Sequence, residues 1–458
     1  MIKYYTYFFS KKFKILFRPL LILMVMGVLF TSCKDKSAVE NPNPAVGVSK
    51  ATSEFDASIA TRWTDLQLIL IKSTPGYAPP VSARTLAYTS LALYESIVYG
   101  MKDHQSLAGQ IAGLTTLPKP DLTKEYSWGL AANSALSTLI VEMYATTNDA
   151  NKSAIDSLRR NIESTLKRDA ENQEIIDRSM IFGADIGKAI WEYSKTDGGH
   201  EGWKNNFPTD FKTPVGIGFW EPTGSQKIPL LPYWGKNRTF SALNATTNPV
   251  APSTFSFKET SDMFKLGKEV YDISKALTAD QKAIANFWAD GGNTLTPPGH
   301  HFNIANIILK KEKVKLDKVA EVYAKVGMAV NDAFVACWRC KYVYNLMRPQ
   351  TYIRQAIDPT WSPLITTPPF PEYSSGHSSG SGAAAETLTS IFGDNYAFTD
   401  NTHTGKFPDR SFKSFYEYAN EATMSRLYGG IHYRQGNENG QKNGKEIAKN
   451  ILKLKFTK

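Results

Sequence analysis

Helical spacing of apolar residues recurs over long stretches of this chain and limits its fold more than any other feature. Apolar side chains three and four residues apart are typical of amphipathic helices, whereas alternating runs typical of strands are nearly absent. The helical stretches are 82–101, 126–145, 172–194, 262–276, 279–289, 302–312, 315–335 and 411–427. With 458 residues, 42% of them hydrophobic, the chain can bury a large core. The sequence therefore predicts an all-α fold built as a large helical bundle.

The first 32 residues read as an export signal. Five cations and no acid accompany an apolar run from Leu20 to Phe30, which is too short to cross a bilayer. The following "LFTSC" resembles a bacterial lipobox, which predicts cleavage before Cys33 and lipidation of its thiol. The alternatives are plain secretion and an uncleaved anchor. We expect an exported lipoprotein, anchored to the membrane of a Gram-negative-type cell envelope on its periplasmic face or at the cell surface.

The charge of the chain is partly a consequence of this signal. Five of the ten net positive charges lie in residues 1–32, so the remaining chain carries +5. The basic pI is therefore weak evidence for nucleic-acid binding, and no nucleic-acid partner is expected.

The remaining chain divides by composition. Residues 33–55 are polar and contain proline, as a flexible tether would be. We expect an N-terminal helical part at 56–258, with an ordered surface excursion rich in Gly, Pro and aromatics at 199–258. A C-terminal helical, catalytic part at 259–458 is expected to pack with it as one domain.

Three clusters in the C-terminal part carry groups suited to chemistry. In "KYVYNLMRP", Lys341 and Arg348 are seven residues apart, which would place both cations on one helix face before Pro349 ends or kinks the helix. In "SSGHSSG", Ser374, Ser375 and Gly376 precede a helical segment, whose positive end favours anions, and His377 follows them. The third cluster is "SRLYGGIHYRQGN".

In this third cluster Arg426 lies near a helix end, and His432 follows a glycine pair on a turn. Taken singly, each cluster also has a structural interpretation. A Lys/Arg pair commonly forms a solvated helix face, Ser-rich starts commonly cap helices, and a single His commonly satisfies a local hydrogen bond.

The three clusters in this order resemble the vanadium-dependent haloperoxidases and the type 2 phosphatidic acid phosphatases. Longer segments at 82–100, 287–306 and 368–377 resemble bacterial haloperoxidase-like proteins. The resemblance implies a helical-bundle site for a phosphate-like oxyanion, with vanadate as the cofactor and hydrogen peroxide and halide as substrates.

The resemblance also implies roles for individual residues. Vanadate would be bound by Lys341, Arg348, Ser375, Gly376 and Arg426. By the same resemblance His432 would be the axial ligand of vanadium, and His377 would act as the acid or base. Three cations around a buried oxyanion fit the cost of removing such an ion from water.

Supporting positions follow the same resemblance. Asp290 is expected to hold Arg426, while Trp338 and Phe370 either line the pocket or pack in the core. The family usually has Asp four residues after the axial His, where this chain has Gly436. Without that carboxylate the orientation of His432 is less controlled, unless Asn437, Glu438 or a distant acid replaces it.

Two other functions remain open from the sequence. A phosphomonoesterase could use the same oxyanion site with His432 as the nucleophile. A non-catalytic surface lipoprotein could bind an anion or a glycan, a reading favoured by Gly436 and the aromatic excursion. Cys337 and Cys340 are interpreted as small core residues, with a disulfide or a redox or metal role as alternatives.

Overall fold

The computed structural model describes residues 49–170 and 172–458. The predicted signal peptide, the lipidated Cys33 and most of the predicted tether lie outside the described residues. Residues 49–55 belong to the folded unit, whereas the sequence assigned them to the tether. Thr52 is fully buried, and Ser49 Oγ accepts a hydrogen bond from the Tyr126 backbone N–H at 2.9 Å.

The described chain is mainly helical, which confirms the predicted all-α class. The helices are α1 (Ser58–Ser73), α2 (Pro79–Ile97), α3 (Trp128–Met143), α4 (Asp149–Asp169), α5 (Gln173–Lys195), α6 (Asp262–Lys275), α7 (Ala279–Phe287), α8 (Thr296–Lys311), α9 (Leu316–Tyr344), α10 (Pro349–Ala356), α11 (Gly376–Phe392), α12 (Phe415–Tyr428) and α13 (Arg434–Leu452). Two short strands, β1 (Phe398–Asp400) and β2 (Arg410–Phe412), form an antiparallel pair. Each helix in residues 49–170 and 172–458 is too short or too polar to cross a bilayer.

The start of α12 differs from the prediction. Residues 411 and 412 belong to β2, where Phe412 pairs with Phe398, and the helix begins only at Phe415. Ser414 caps it by accepting a hydrogen bond from the Glu417 backbone N–H at 3.1 Å. The apolar residues of 411–415 suit either element, so periodicity alone did not separate strand from helix.

The long helix α9 lies at the centre of the bundle. It is buried on nearly all sides from Val319 to Lys341, and it packs against α2, α11 and α13. Small residues let α9 pack closely against α2, since a Cβ at Gly327 would lie 3.0 Å from the Ala87 Cα on α2. The described residues, 49–170 and 172–458, belong to one compact unit, so the N-terminal and C-terminal helices share this core.

Helix α13 packs on α11 through a stripe of glycines rather than through large apolar side chains. A Cβ at Gly444 would lie 2.1 Å from the Ser379 carbonyl oxygen, and one at Gly440 would lie 3.0 Å from the Ser375 carbonyl oxygen. The two backbones therefore approach more closely than any side chain at these positions would allow. This contact fixes α13 beside the N-terminus of α11.

The excursion at 199–258 is ordered and attached to the C-terminal helices. The Leu230 backbone N–H donates to the Pro369 carbonyl at 2.9 Å, and the Trp220 N–H donates to the Asn345 carbonyl at 2.6 Å. The buried Asp332 carboxylate on α9 accepts from the Phe240 and Ser241 backbone N–H groups. The excursion thus covers α9 and brings residues of the N-terminal half to the site described next.

Candidate active site

A cleft of about 700 Å³ opens at the N-terminus of α11. Its polar lining includes Asp290, Gly376, His377, Arg426 and His432. The surrounding wall comes from the loop before α2, the excursion and the loop before α8. The second and third predicted clusters therefore meet in one cleft, although 49 residues separate His377 from Arg426.

The residues of the first cluster also lie next to this cleft, but they do not lie on one helix face as predicted. Lys341 and Arg348 do not share a helix face, because α9 ends at Tyr344 and Asn345 adopts a left-handed backbone with φ 47°. Arg348 then lies in extended backbone, and Pro349 begins α10. Proline is favoured at a helix start, where its missing N–H has no cost, so Pro349 starts a new helix instead of ending the old one.

Lys341 supports the loop beneath the cleft. Its ammonium donates to the carbonyls of Pro371, Glu372 and Ser374 at 3.0, 3.0 and 2.6 Å. These bonds engage all three ammonium protons, so the direct contact predicted between Lys341 and a bound anion would require Lys341 to exchange one of them. Burial lowers the pKa of Lys341 to about 8, so at neutral pH it still contributes positive charge.

The start of α11 combines the capping and the anion-binding interpretations of the Ser-Gly-His segment. Ser375 is the N-cap, and its Oγ accepts a hydrogen bond from the Ser378 hydroxyl at 2.9 Å. Its own hydroxyl proton remains available to a ligand. The Gly376 N–H belongs to the first helical turn, where backbone N–H groups have no partner within the helix.

His432 is held between a carboxylate and a guanidinium. Arg348 Nη1 lies 3.0 Å from His432 Nε2, and because arginine can only donate, Nε2 presents its lone pair. The proton is therefore on Nδ1, which lies 2.7 Å from Glu372 Oε1. Burial and the charges of Arg348, Lys341 and Arg426 hold the pKa of His432 well below its usual value. His432 is thus a neutral imidazole with Nε2 available as a ligand atom.

Glu372 is the functional residue that the sequence prediction did not name. It replaces the missing acid at position 436, and the glycine there makes room for it: a Cβ at Gly436 would lie 2.3 Å from Glu372 Oε1. The named substitutes do not serve, since Glu438 pairs with Arg434 and Asn437 Oδ1 lies beside the Ser378 hydroxyl, at 3.4 Å. Burial raises the pKa of Glu372 to about 7 against the opposing charges of Arg348 and Lys341. A single acid inside "FPEYSSGH" was the available signal.

His377 faces the cleft from the first turn of α11. Arg426 Nη1 lies 3.1 Å from His377 Nε2, which again makes this nitrogen the acceptor. Burial and the charge of Arg426 keep the pKa of His377 well below its usual value. A neutral imidazole can take a proton from a bound ligand, so His377 can act as a general base once Arg426 turns from its Nε2 toward the anion.

Burial lowers the pKa of the Arg426 guanidinium to about 9, and the negative charge of Asp290 opposes this shift. Asp290 makes no direct hydrogen bond to Arg426, however. Its Oδ2 lies 2.8 Å from His300 Nδ1, because His300 on α8 occupies the space beside the carboxylate. Arg426 Nη1 donates instead to the Trp288 carbonyl, in the same loop. The loop therefore still positions the guanidinium, through its backbone.

The aromatic pair Trp338 and Phe370 is both core and pocket wall. Their ring centroids are 5.2 Å apart, Trp338 is 1% exposed, and both line the cleft. Phe370 lies under the two cations, with Lys341 Nζ at 5.0 Å and Arg348 Cζ at 4.9 Å from its centroid. Behind this wall Cys337 and Cys340 are free and buried, as expected for small core residues.

Unpaired polar groups in the cleft wall and directly behind it fit an oxyanion. Within residues 49–170 and 172–458, Arg348 Nη2, Arg426 Nε and Ser374 Oγ are buried and find no hydrogen-bond partner. A buried donor without an acceptor is costly, and two such groups on guanidinium ions call for an anionic acceptor. Vanadate, a tetrahedral oxyanion that accepts an axial imidazole, fits these donors together with His432 Nε2.

Comparisons with known proteins agree with this site. The profile of the "VCPO second helical-bundle domain" matches residues 321–456. Vanadium chloroperoxidase of Curvularia inaequalis is 31% identical over an alignment of 134 positions, and the match covers 24% of this chain and 22% of that protein. The chain thus aligns with about a fifth of that relative's length.

Solved structures extend the match over most of the chain. The first crystal structure of a bacterial vanadium-dependent iodoperoxidase superposes with a TM-score of 0.77 and 35% identity, covering 87% of this chain and 96% of that one. An apo-type bacterial vanadium-dependent chloroperoxidase has the same fold, with a TM-score of 0.63 at 16% identity over 83% of this chain and 94% of that one. From the site and these matches together, the chain belongs to the vanadium-dependent haloperoxidase family.

Proposed function

We propose that this protein is a vanadate-dependent haloperoxidase, which oxidises halide with hydrogen peroxide in the cleft at the N-terminus of α11. The observation that carries the proposal is the pairing of a neutral imidazole, His432, with buried guanidinium donors that have no acceptor among the described residues. The match to an iodoperoxidase at 35% identity supports the same assignment.

Each group around the cleft has a distinct part in holding the cofactor. His432 Nε2 would be the ligand atom for vanadate, and Glu372 keeps the imidazole proton of His432 on Nδ1. Arg348 and Arg426 neutralise the anion and donate to its oxygens, while the Ser375 hydroxyl and the Gly376 N–H add directed bonds. Lys341 acts beneath them by fixing the loop that carries Glu372 and by its charge.

Bound vanadate supplies a Lewis acid that activates peroxide toward halide without a change in oxidation state. The chain itself supplies proton transfer and exclusion of water. His377 accepts the proton that hydrogen peroxide loses on binding, and Arg426 beside it keeps the imidazole neutral beforehand. The Trp338 and Phe370 wall keeps one side of the anion dry, which strengthens the guanidinium contacts.

We further propose that the enzyme works outside the cytoplasm as a membrane-anchored lipoprotein. The support is the basic and apolar segment before Cys33 and the lipobox-like "LFTSC". Export would place the peroxide and hypohalous chemistry away from cytoplasmic thiols. Metabolic labelling with a radioactive fatty acid, in the wild type and in Cys33→Ser, tests this: label should appear only in the wild type.

The activity is tested by peroxide-dependent oxidation of iodide and bromide by purified protein, before and after loading with orthovanadate. We expect turnover only in the loaded protein, and competing phosphate should suppress loading because it presents the same tetrahedral oxygens to the same donors. Hydrolysis of a phosphate ester is measured in parallel. Halide oxidation that is absent, with ester hydrolysis that vanadate blocks, would make the protein a phosphatase. Neither activity, with the anion bound, would leave an anion-binding protein.

A further inference from the structure

Behind the floor of the cleft lies a group of side chains that the proposed reaction does not use. This aspartate–histidine cluster consists of Asp290, His300, Asp400 and His403. His300 Nδ1 lies 2.8 Å from Asp290 Oδ2, and His300 Nε2 lies 2.8 Å from Asp400 Oδ2. On the other side of Asp290, its Oδ1 lies 3.3 Å from His403 Nε2.

The cluster joins three segments that are distant in sequence. Asp290 is in the loop between α7 and α8, His300 is on α8, and Asp400 and His403 lie at and after the end of β1. The side chains of Asp290 and His300 are fully buried, and His403 is 12% exposed. Asp290 has φ 43°, a backbone conformation that is unusual for residues other than glycine, so the loop holds this carboxylate in place against local preference.

Two polar atoms of the cluster lack a hydrogen-bond partner. Among the described residues, buried Asp290 Oδ1 and His403 Nε2 have no hydrogen-bond partner, although they face each other. Their 3.3 Å separation matches the spacing of about 3.3 Å between two ligand atoms on one tetrahedral zinc ion. One nitrogen of each histidine and one carboxylate oxygen of Asp290 all lie within 4.8 Å of one another.

We propose that Asp290, His300 and His403 bind one divalent transition-metal ion of the Zn²⁺ class. Two imidazole nitrogens and one carboxylate oxygen are ligands that such ions prefer, whereas Ca²⁺ and Mg²⁺ prefer oxygen ligands throughout. Asp400 is the outer-shell partner, since it accepts the Nε2–H of His300; the ion would displace the Nδ1 proton that His300 shares with Asp290 Oδ2.

The ion would fasten the loop between α7 and α8 to the β1 turn. That loop also carries Trp288, whose carbonyl accepts a hydrogen bond from Arg426. Asp290 lines the cleft whereas His300 and His403 do not, so the metal site would lie directly behind the cleft wall and support the Arg426 side of the cleft. The proposal does not depend on which reaction the cleft performs.

The test is a Zn²⁺ titration of the chelator-stripped full chain, followed by calorimetry and by thermal unfolding. We expect one ion per chain, an increase in the melting temperature, and the same affinity with and without orthovanadate. If Zn²⁺ bound at His432 instead, vanadate would displace the ion or lower its affinity. That result would overturn the assignment.

His403→Ala removes one ligand from a partly exposed position, so the chain should still fold, which the melting temperature of the metal-free variant checks. We expect at least 100-fold weaker binding in this variant, and about 10-fold to 100-fold weaker binding in Asp400→Asn. His104→Ala is the matched control, since His104 is a surface histidine outside the cluster, and should bind as the wild type does. If the wild type does not bind Zn²⁺, or if His403→Ala binds it as tightly as the wild type, the metal proposal is wrong. Hydrogen bonds alone would then hold the cluster together.

Discussion

Replacing His432 with alanine is expected to abolish both vanadate binding and halide oxidation, while the protein stays folded. His432 Nε2 presents its lone pair to the cleft, and no other described imidazole lies beside Arg348 to replace it. Outer-shell changes at metal sites cost about 10-fold to 100-fold in affinity, so loss of the ligand itself should cost more than about 100-fold. Equilibrium dialysis against orthovanadate, together with the peroxidase assay, measures both quantities.

His377→Ala is the matched control for this experiment, because it also removes a cleft imidazole. The general-base role predicts vanadate affinity within about tenfold of the wild type, with turnover reduced about 10²-fold to 10⁴-fold. The two variants should therefore separate binding from turnover. Unchanged turnover in His432→Ala, or a large loss of vanadate affinity in His377→Ala, would contradict the assigned roles.

Moving the carboxylate beside His432 from position 372 to position 436 is expected to change both the stability and the activity of the protein. Gly436→Asp should destabilise the protein by about 1–3 kcal/mol or more, since its Cβ would lie 2.3 Å from Glu372 Oε1. Glu372→Ala should lower vanadate affinity or turnover by about 10-fold to 100-fold, because His432 loses the group that orients it. Denaturant unfolding and the peroxidase assay measure the two effects.

The double variant Glu372→Ala with Gly436→Asp is the decisive member of this series. It removes the clash and returns a carboxylate to the side of His432 from position 436. We expect at least tenfold more activity than in Glu372→Ala alone, together with recovery of the stability lost in Gly436→Asp. A merely structural role for Glu372 would give no recovery of activity. A double variant no more active than Glu372→Ala would therefore refute the positioning role.

The fold was predictable where helices bury a broad apolar face. Helices α2, α3 and α5 coincide closely with the periodic stretches of the sequence. Helix α13 was not recognised, because its buried face is the stripe Gly436, Gly440 and Gly444 and carries few large apolar side chains. A close contact between helix backbones leaves no hydrophobic period, so pattern analysis does not detect it.

The sequence motifs predicted which residues form the site, but not which side chains those residues contact. Lys341, Arg348, Ser375, His377, Arg426 and His432 do converge, since the order of the clusters reflects a shared fold. Their contacts depend on tertiary geometry: Glu372 reaches His432 across 60 residues, and Asp290 meets His300 instead of Arg426. Such pairings follow from how α11, α13 and the loops pack, which no local spacing encodes.

The most direct test of the account is the position of vanadium in crystals of the full chain soaked with orthovanadate, located by anomalous scattering. We predict one vanadium within bonding distance of His432 Nε2, with Arg348 and Arg426 turned toward its oxygens. Vanadium located elsewhere, or none in the cleft under conditions that support halide oxidation, would contradict the assignment of this site.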